Sequence, residues 1–373
     1  MKNNEVIIIG GGLGGLTTAI HLSKIGIGVT LVEKNDFPKH KVCGEYISNE
    51  VIPYLRGLDV DIDSLNPSLI SKFLFSTESG KTISGNLPLG GFGISRYKLD
   101  YFLYRKALAN NCTIIKDSVS EINFSDDEFT VAISDSKKIK SKIVIGAFGK
   151  RSNIDQKLNR KFILRKSPWL AVKGHYKIKF ASDLVGLYNF RGGYCGVSNI
   201  ENNVVNICYL ADYTTFKRHK NIEDYQKAVL YKNPHLKTIL ENAIPIFDKP
   251  LTISQISFSE KKCIENHILM VGDTAGLIHP LCGNGMAMAI HSAKIVSELI
   301  IQYLAGAIDR DVLEKKYEEQ WSENFKTRLK TGRVLSKVLQ DKNLSDLVMN
   351  MVGFFPSLLP NIIRKTHGET LST

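Results

Sequence analysis

Apolar positions along the chain switch between two periods. Residues 6–9, Val-Ile-Ile-Ile, form a short β-branched run ended by glycines, the pattern of a buried parallel strand entering a tight turn. From Leu16 onward, Ala19, Ile20, Leu22 and Ile25 fall at helical spacing, and Gly26 closes that helix. A second β-branched run over 29–32 ends at Glu33. Strand, glycine turn, helix and strand inside the first 33 residues make a βαβ unit, whose crossover is right-handed in nearly all cases.

Further along, 129–134 and 139–145 are extended runs around a polar turn, and 143–147 reads as another buried strand. Short strands at 184–190, 194–198 and 204–210 alternate with turns, with one helical stretch near 221–241, as in a separate sheet-based unit. The buried-strand signal returns at 268–271, before a glycine-bearing loop and a helix over 284–305. The predicted architecture is α/β: a discontinuous Rossmann-like domain (1–160 and 261–305, with part of 60–100 on the substrate side), an inserted β-sheet substrate domain (161–260) and C-terminal helices (306–373). The stretch 344–363 has 12 apolar residues in 20 but is broken by Asp346, Asn350, Pro356 and Pro360. It reads as helices capping a cavity, or as a membrane-facing lid ending at Arg364 and Lys365.

Composition narrows the class. The 373 residues, 43% hydrophobic and 23% charged, describe an ordinary globular chain. Among the six cysteines the closest pair, Cys195 and Cys208, lies 13 residues apart, so there is no C-x-x-C metal or redox pair and no disulfide framework. The N-terminal apolar run is too short for a signal peptide, so a cytoplasmic location is expected. Residues 150–180 hold ten Lys or Arg against Asp155 alone, which supplies nine of the net +12 charges. A solvated basic face is the plain reading, and a contact with an anionic membrane surface or an acidic carrier protein the alternative. Nucleic acid is not expected, because no zinc-finger spacing, RNP-like strand or basic zipper accompanies the charge, and no metal is expected either.

The run Gly10-Gly11-Gly12-Leu13-Gly14-Gly15 satisfies G-x-G-x-x-G: Gly10 for the turn, Gly12 for close approach of a pyrophosphate, Gly15 for helix packing. Glu33, followed by Lys34, stands at the next strand end, where a carboxylate accepts both ribose hydroxyls. A dinucleotide site follows, although this unit alone does not separate NAD from FAD.

A second cluster does. Gly272-Asp273-Thr274-Ala275-Gly276, Pro280 and Gly283-Asn284-Gly285-Met286 opening a helix resemble the G-D-x-A-G-x-x-x-P-x-x-G-x-G motif of FAD-dependent oxidoreductases of the geranylgeranyl reductase, flavin monooxygenase and halogenase superfamily, with a p-hydroxybenzoate hydroxylase-like, GR2-type fold. The resemblance implies that Asp273 bonds the ribityl chain and that Gly283–Gly285 sets helix N–H groups beside the flavin pyrimidine. Pro38-x-x-Lys41-x-Cys43-Gly44 is similar to the P-x-x-K-x-C-G motif of the geranylgeranyl reductase-like branch, and Arg96-x-x-Leu99-Asp100 to a helix whose arginine lies near FAD. Val119 matches a backbone position at the adenine, while Gly193-Tyr194 with Asn206 resembles a strand pair facing the flavin from the substrate side.

Two departures bear on the reaction. The D-G motif of flavin hydroxylases reads Phe148-Gly149 here, which removes an acid that supports FAD and nicotinamide nucleotide binding in the family. The W-x-W-x-I-P motif of flavin halogenases is absent, so halogenation is disfavoured. Proton-handling candidates are Cys43, His279 and Tyr194, with Tyr46 beside them. The resemblance implies an FAD-dependent monooxygenase that hydroxylates or epoxidises an apolar or aromatic small molecule, with NAD(P)H as electron donor. The alternative is a reductase or dehydrogenase acting on C=C bonds of an isoprenoid or related chain. A redox-silent binding protein on the same fold is the third class, disfavoured by the presence of both glycine motifs and Asp273.

Overall fold

The computed structural model describes residues 5–134, 137–340 and 367–372. The apolar stretch 344–363 lies outside the described residues. A six-stranded sheet runs in the order Ile264–Glu265, Ile268–Met270, Ile143–Gly146, Val6–Ile9, Val29–Glu33, Thr113–Lys116, parallel except at the first edge pair. Its central strand is buried at all four positions, as an uninterrupted apolar run requires when both faces are covered. The helix Leu13–Lys24 packs between the helices Arg96–Ala109 and Gly285–Leu304, and Gly26 at φ +88° turns the chain back toward the second strand.

The larger sheet has nine strands. Its path runs Ile244–Pro245, Trp169–Lys177, Val205–Asp212, Gly193–Asn199, Leu184–Phe190, Ser68–Ser76, Thr82–Gly93, Tyr46–Ser48, with Leu251–Ser254 paired to Trp169–Lys177. The strands between Tyr46 and Gly93 thus belong to the same sheet as the inserted middle segment. Alternation assigns its faces: Tyr194 and Leu210 join an inner apolar cluster with Phe75, Leu277 and Leu281. Cys195, Tyr209 and Ala211, their neighbours in sequence, turn outward onto a second cluster with Tyr225 and Leu236. The inner face is the one set against the six-stranded sheet's loops. A three-stranded meander, Val119–Ser125, Glu128–Ile133 and Lys137–Ser141, adds Phe129, Val131 and Ile133 to the main core.

Glu50, fully buried, gathers distant segments: its carboxylate accepts from Asn284 Nδ2 at 3.0 Å, Gly368 N at 2.8 Å and Arg328 Nη1 at 3.4 Å, and its carbonyl from Leu371 N at 2.8 Å. The segment 367–372 is thereby held against the start of the Gly285–Leu304 helix. Among the described residues no helix is long and apolar enough to cross a membrane.

The first glycine turn closes on itself. A Cβ at Gly15 would stand 2.0 Å from the Gly10 carbonyl oxygen, a backbone atom with no freedom to withdraw. Gly15→Ala is therefore expected to lower stability by about 1–3 kcal/mol or more, the cost of overpacking, read as a fall in urea midpoint at unchanged m.

Candidate active site

A cavity of about 860 Å³ lies between the inner face of the large sheet and the loops at the strand ends of the small one. At one end Gly10, Gly12, Leu13 and Gly14 form its wall, and Gly15 lies beneath them. Gly12 differs from its neighbours: a Cβ there would meet only Arg96 Nη2, at 3.9 Å. The absent side chain leaves open room, not a packing contact, beside the uncapped first turn of Leu13–Lys24, where backbone donors and the helix dipole favour phosphate. Glu33 is aimed by its own bonds, accepting from Gly11 N at 2.7 Å and from Asn35 N and Nδ2 at 2.9 and 2.6 Å, and it lines the cavity with Lys34. Val119 lines the same end.

At the other end Gly272, Asp273, Pro280, Gly283, Gly285 and Met286 line the wall. Gly283 takes φ +64°, and a Cβ there would touch the Tyr46 ring at 3.2 Å, so the turn is both left-handed and close-packed. Asn284 is spent elsewhere. Its side chain bonds Glu50 and Arg328, which places its amide in the buried Glu50 cluster and off the cavity wall.

Arg96, Asp100 and Lys41 meet at the cavity's polar side. Arg96 grips Asp100 through two bonds, 2.7 and 2.8 Å, and Lys41 Nζ reaches Asp100 at 2.8 Å and the Gly11 carbonyl at 3.3 Å. Burial alone would raise the Asp100 carboxyl, but the two cations hold it below the usual carboxylate range. Cys43 points its thiol at Met286, Sγ to Sδ 3.5 Å, so the Lys41–Gly44 segment touches the start of the cavity helix.

The expected proton carriers fare differently. Tyr194 lines the cavity, with its hydroxyl pushed well above its ordinary value by burial. His279 does not: it is packed against Phe258, Tyr194 and Trp169, and its Nε2 pairs with Ser336 Oγ at 2.9 Å. Burial lowers its pKa to about 3, so the ring stays neutral, behind the cavity wall. Asn206 also stands off the lining; its Nδ2 bonds the carbonyls of Cys43 and Gly44 at 3.3 and 2.9 Å.

The sequence reading passed over a buried charged cluster. Glu45, at φ +56°, accepts from Arg96 N at 2.7 Å, from Lys173 Nζ and from His175 Nε2 at 2.7 Å; Glu45 and Lys173 are fully buried. Burial alone would raise the Glu45 carboxyl, but the His175 bond and the Lys173 charge bring it below its ordinary range. A signal existed. Lys173 and His175 are two apart in the otherwise apolar run Trp169–Tyr176, so they share one face of a buried strand, where a polar pair needs a partner.

With this geometry described, the class follows. A family model described as FAD binding domain matches residues 3–324, and the chain belongs to that family of FAD-dependent oxidoreductases. Within it, the chain is similar to the digeranylgeranylglycerophospholipid reductase of Methanococcus vannielii, 23% identical over 370 residues, covering 93% of this chain and 89% of that one. Among solved structures it resembles the flavin-dependent brominase Bmp2, with TM-score 0.80, 18% identity and coverage of 98% of this chain and 93% of that one. The halogenase PltM, solved in complex with phloroglucinol and FAD, gives TM-score 0.77 at 17% identity, covering 97% of this chain and 82% of that one. At such identities the structural likeness establishes the fold. FAD fits the residues present: the open space over Gly12, the oriented Glu33 carboxylate and the free first-turn donors match a dinucleotide's pyrophosphate and ribose.

Two tests follow. Gly12→Ala is expected to keep the fold, since its Cβ meets no backbone, yet to lower FAD affinity at least tenfold by entering the phosphate space, read by retained flavin absorbance after gel filtration. For His279, the unfolded ring takes up a proton near 6.5 and the folded ring only near 3, so wild-type stability falls with pH through that window. One proton contributes a slope of about 1.4 kcal/mol per pH unit, and His279→Gln should reduce the wild-type slope by up to that amount in urea titrations at pH 6 and pH 5, leaving the share of other buried histidines such as His291.

Proposed function

We propose that this chain is an FAD-dependent monooxygenase that inserts one oxygen atom into an apolar or aromatic small molecule, with NAD(P)H as electron donor. The observation that carries the reading is the division of the cavity wall. Charged lining residues come from loops and from the small-sheet side, whereas every lining residue contributed by the nine-stranded sheet, from Phe73 and Phe75 to Leu187 and Leu210, is uncharged. A ligand lodged there is held by apolar contact and shielded from water, as in most small-molecule sites.

The same wall bears on the kind of reaction. Saturating a carbon–carbon double bond requires a proton delivered to the second carbon, and the titratable side chains the sheet sets along the cavity, Tyr46, Tyr194, Tyr209 and Cys208, are all raised above their ordinary values, by burial first. These are reluctant acids. Oxygen insertion makes no such demand on the sheet. Bound FAD, once reduced, supplies the activation of molecular oxygen. The chain's residues bind and orient: Glu33 and the glycine turn the nucleotide end, Asp273 and the Gly285 helix start the ring end, and the leucine and phenylalanine wall excludes water. In the net reaction NAD(P)H and the substrate each give two electrons to dioxygen; one oxygen atom enters the substrate, and the other leaves as water with the hydride-derived hydrogen and one proton from solution.

Reduction of an isoprenoid-like double bond is the second reading. Phe148, on the cavity wall where family hydroxylases carry an acid, favours it by weakening the case for direct reduction by a nicotinamide nucleotide.

The deciding experiment begins with anaerobic addition of NADPH or NADH to the yellow protein, then oxygen, with a panel of alkylated phenols. Bleaching by the nucleotide, oxygen uptake stoichiometric with product and a product heavier by one oxygen atom are expected. Bleaching by dithionite alone, with saturation of a polyprenyl substrate and no oxygen uptake, would transfer the assignment to the reductase.

A further inference from the structure

The Gly272–Gly276 loop has a second hollow behind it. A groove of about 420 Å³ runs between residues 159–162, the loop 258–265 and one face of the helix Arg310–Gln340, where Glu318, Trp321, Leu329 and Arg333 recur at helical spacing. Its floor is thin. A Cβ at Gly276 would stand 2.9 Å from the Trp321 ring, so that ring lies directly on the loop backbone, and Leu277 lines both this groove and the main cavity.

Two cations hold the loop from the groove side. Arg160 Nη1 donates to the Thr274 carbonyl at 2.9 Å, and Lys261 Nζ to the Asp273 carbonyl at 2.7 Å and the Lys150 carbonyl at 3.0 Å. They differ in how their charge is met. Arg160 is buried and pairs with Asp155 at 2.9 Å, whereas half-buried Lys261 has no carboxylate in ion-pair contact among the described residues. Its remaining neighbour is the Phe162 ring, whose centroid is 4.3 Å from Nζ. Carbonyls and a ring face satisfy the ammonium's hydrogens without cancelling its charge. Burial lowers the Lys261 pKa to about 8, as expected of a cation short of a counter-ion.

The rest of the lining shares the bias. Lys161, Lys262, Lys326 and Arg333 add to Arg160 and Lys261, against Glu260, Glu265 and Glu318. Glu260 is taken by Arg333 at 3.5 Å, and Glu265 by Lys262 at 3.6 Å and Arg160 at 3.9 Å. With Asp155 set against Arg160, and Lys150 and Asp273 near Lys261 cancelling each other, two positive charges are left over. Phe162, Phe258 and Trp321 supply flat apolar surface beside that charge.

We infer that the groove is a second binding site, for an aromatic anion whose carboxylate or phosphate meets Lys261 and whose ring lies on Trp321. The site is separate from the main cavity and independent of the reaction assigned to it. Its volume suits a small molecule. Its position ties occupancy to the loop in front, because an anion that attracts the Lys261 ammonium draws on the group that holds the Asp273 and Lys150 carbonyls.

The test uses the full-length FAD-loaded protein carrying Trp169→Phe, which leaves Trp321 as the one tryptophan and its fluorescence as a local reporter. Phenyl phosphate and benzoate are titrated, with benzyl alcohol as the uncharged ring and inorganic phosphate as the anion without a ring. Saturable quenching by an aromatic anion is expected, and the tighter of the two assigns phosphate or carboxylate as the recognised group. Benzyl alcohol and inorganic phosphate should each bind about tenfold more weakly or not at all, and Lys261→Met should weaken the aromatic anion by about tenfold, the effect of a hydrogen bond to a charged group. Should Lys261→Met fail to retain FAD, the exposed rim supplies the reading: Lys161→Glu with Lys326→Glu should weaken the aromatic anion by about fivefold or more. Absence of saturable quenching by either aromatic anion, equal binding of benzyl alcohol or inorganic phosphate, or an affinity unchanged by these substitutions overturns the inference.

Discussion

The buried Glu45 carboxylate is the constraint on which the rest of this molecule depends. It touches no solvent, yet it receives the first backbone N–H of the Arg96–Ala109 helix, the ammonium of Lys173 and the ring of His175. Those three donors come from the nucleotide side and from the large sheet, so one side chain fixes how the two sheets face each other. Taking such charges out of water is expensive, and the pair need not add net stability over an apolar equivalent. Its value lies in geometry: removing one partner alone leaves an uncompensated buried charge, at a cost of about 3–5 kcal/mol, so there is one way to assemble the cleft.

From that join the cavity inherits its two characters. Toward the small sheet it carries the Lys41–Asp100–Arg96 network and the glycine turns, which suit a large anionic nucleotide. Toward the large sheet its lining side chains are neutral, because most inner positions are apolar and the polar pair on that face, Lys173 and His175, is turned onto Glu45. The charged end and the apolar end are thus separated by the packing of the strands themselves.

Much of this was legible in the chain. Uninterrupted β-branched runs at 6–9 and 143–145 announce strands buried on both faces, and glycine spacing after the first of them announces the cradle. Asp273, Gly283 and Gly285 lie on the cavity wall, whereas the side chains of His279 and Asn284 turn away from it. A loop motif fixes where the backbone goes but not which way each side chain turns, and these two are drawn into buried hydrogen bonds with partners 57 and 234 residues away. The strands Ser68–Ser76 and Thr82–Gly93 were also hard to read, since their outer halves are partly exposed and lack a clean apolar period. For the Glu45–Lys173 pair the local trace is one-sided: the spacing of Lys173 and His175 in an apolar strand asks for a partner, and nothing near Glu45 in sequence names it.

The Glu50 cluster sets an order of assembly. Its carboxylate draws donors from residues as far apart in the chain as Gly368, a separation of 318 positions, and contacts that distant close late because the intervening loop must first lose its freedom. Until 367–372 arrives, Glu50 lacks the Gly368 amide, and Asn284 at the mouth of the cavity helix is held by fewer bonds. The turn that cradles a nucleotide therefore forms from neighbouring sequence, whereas the opposite end of the cavity waits on contacts that span most of the described chain.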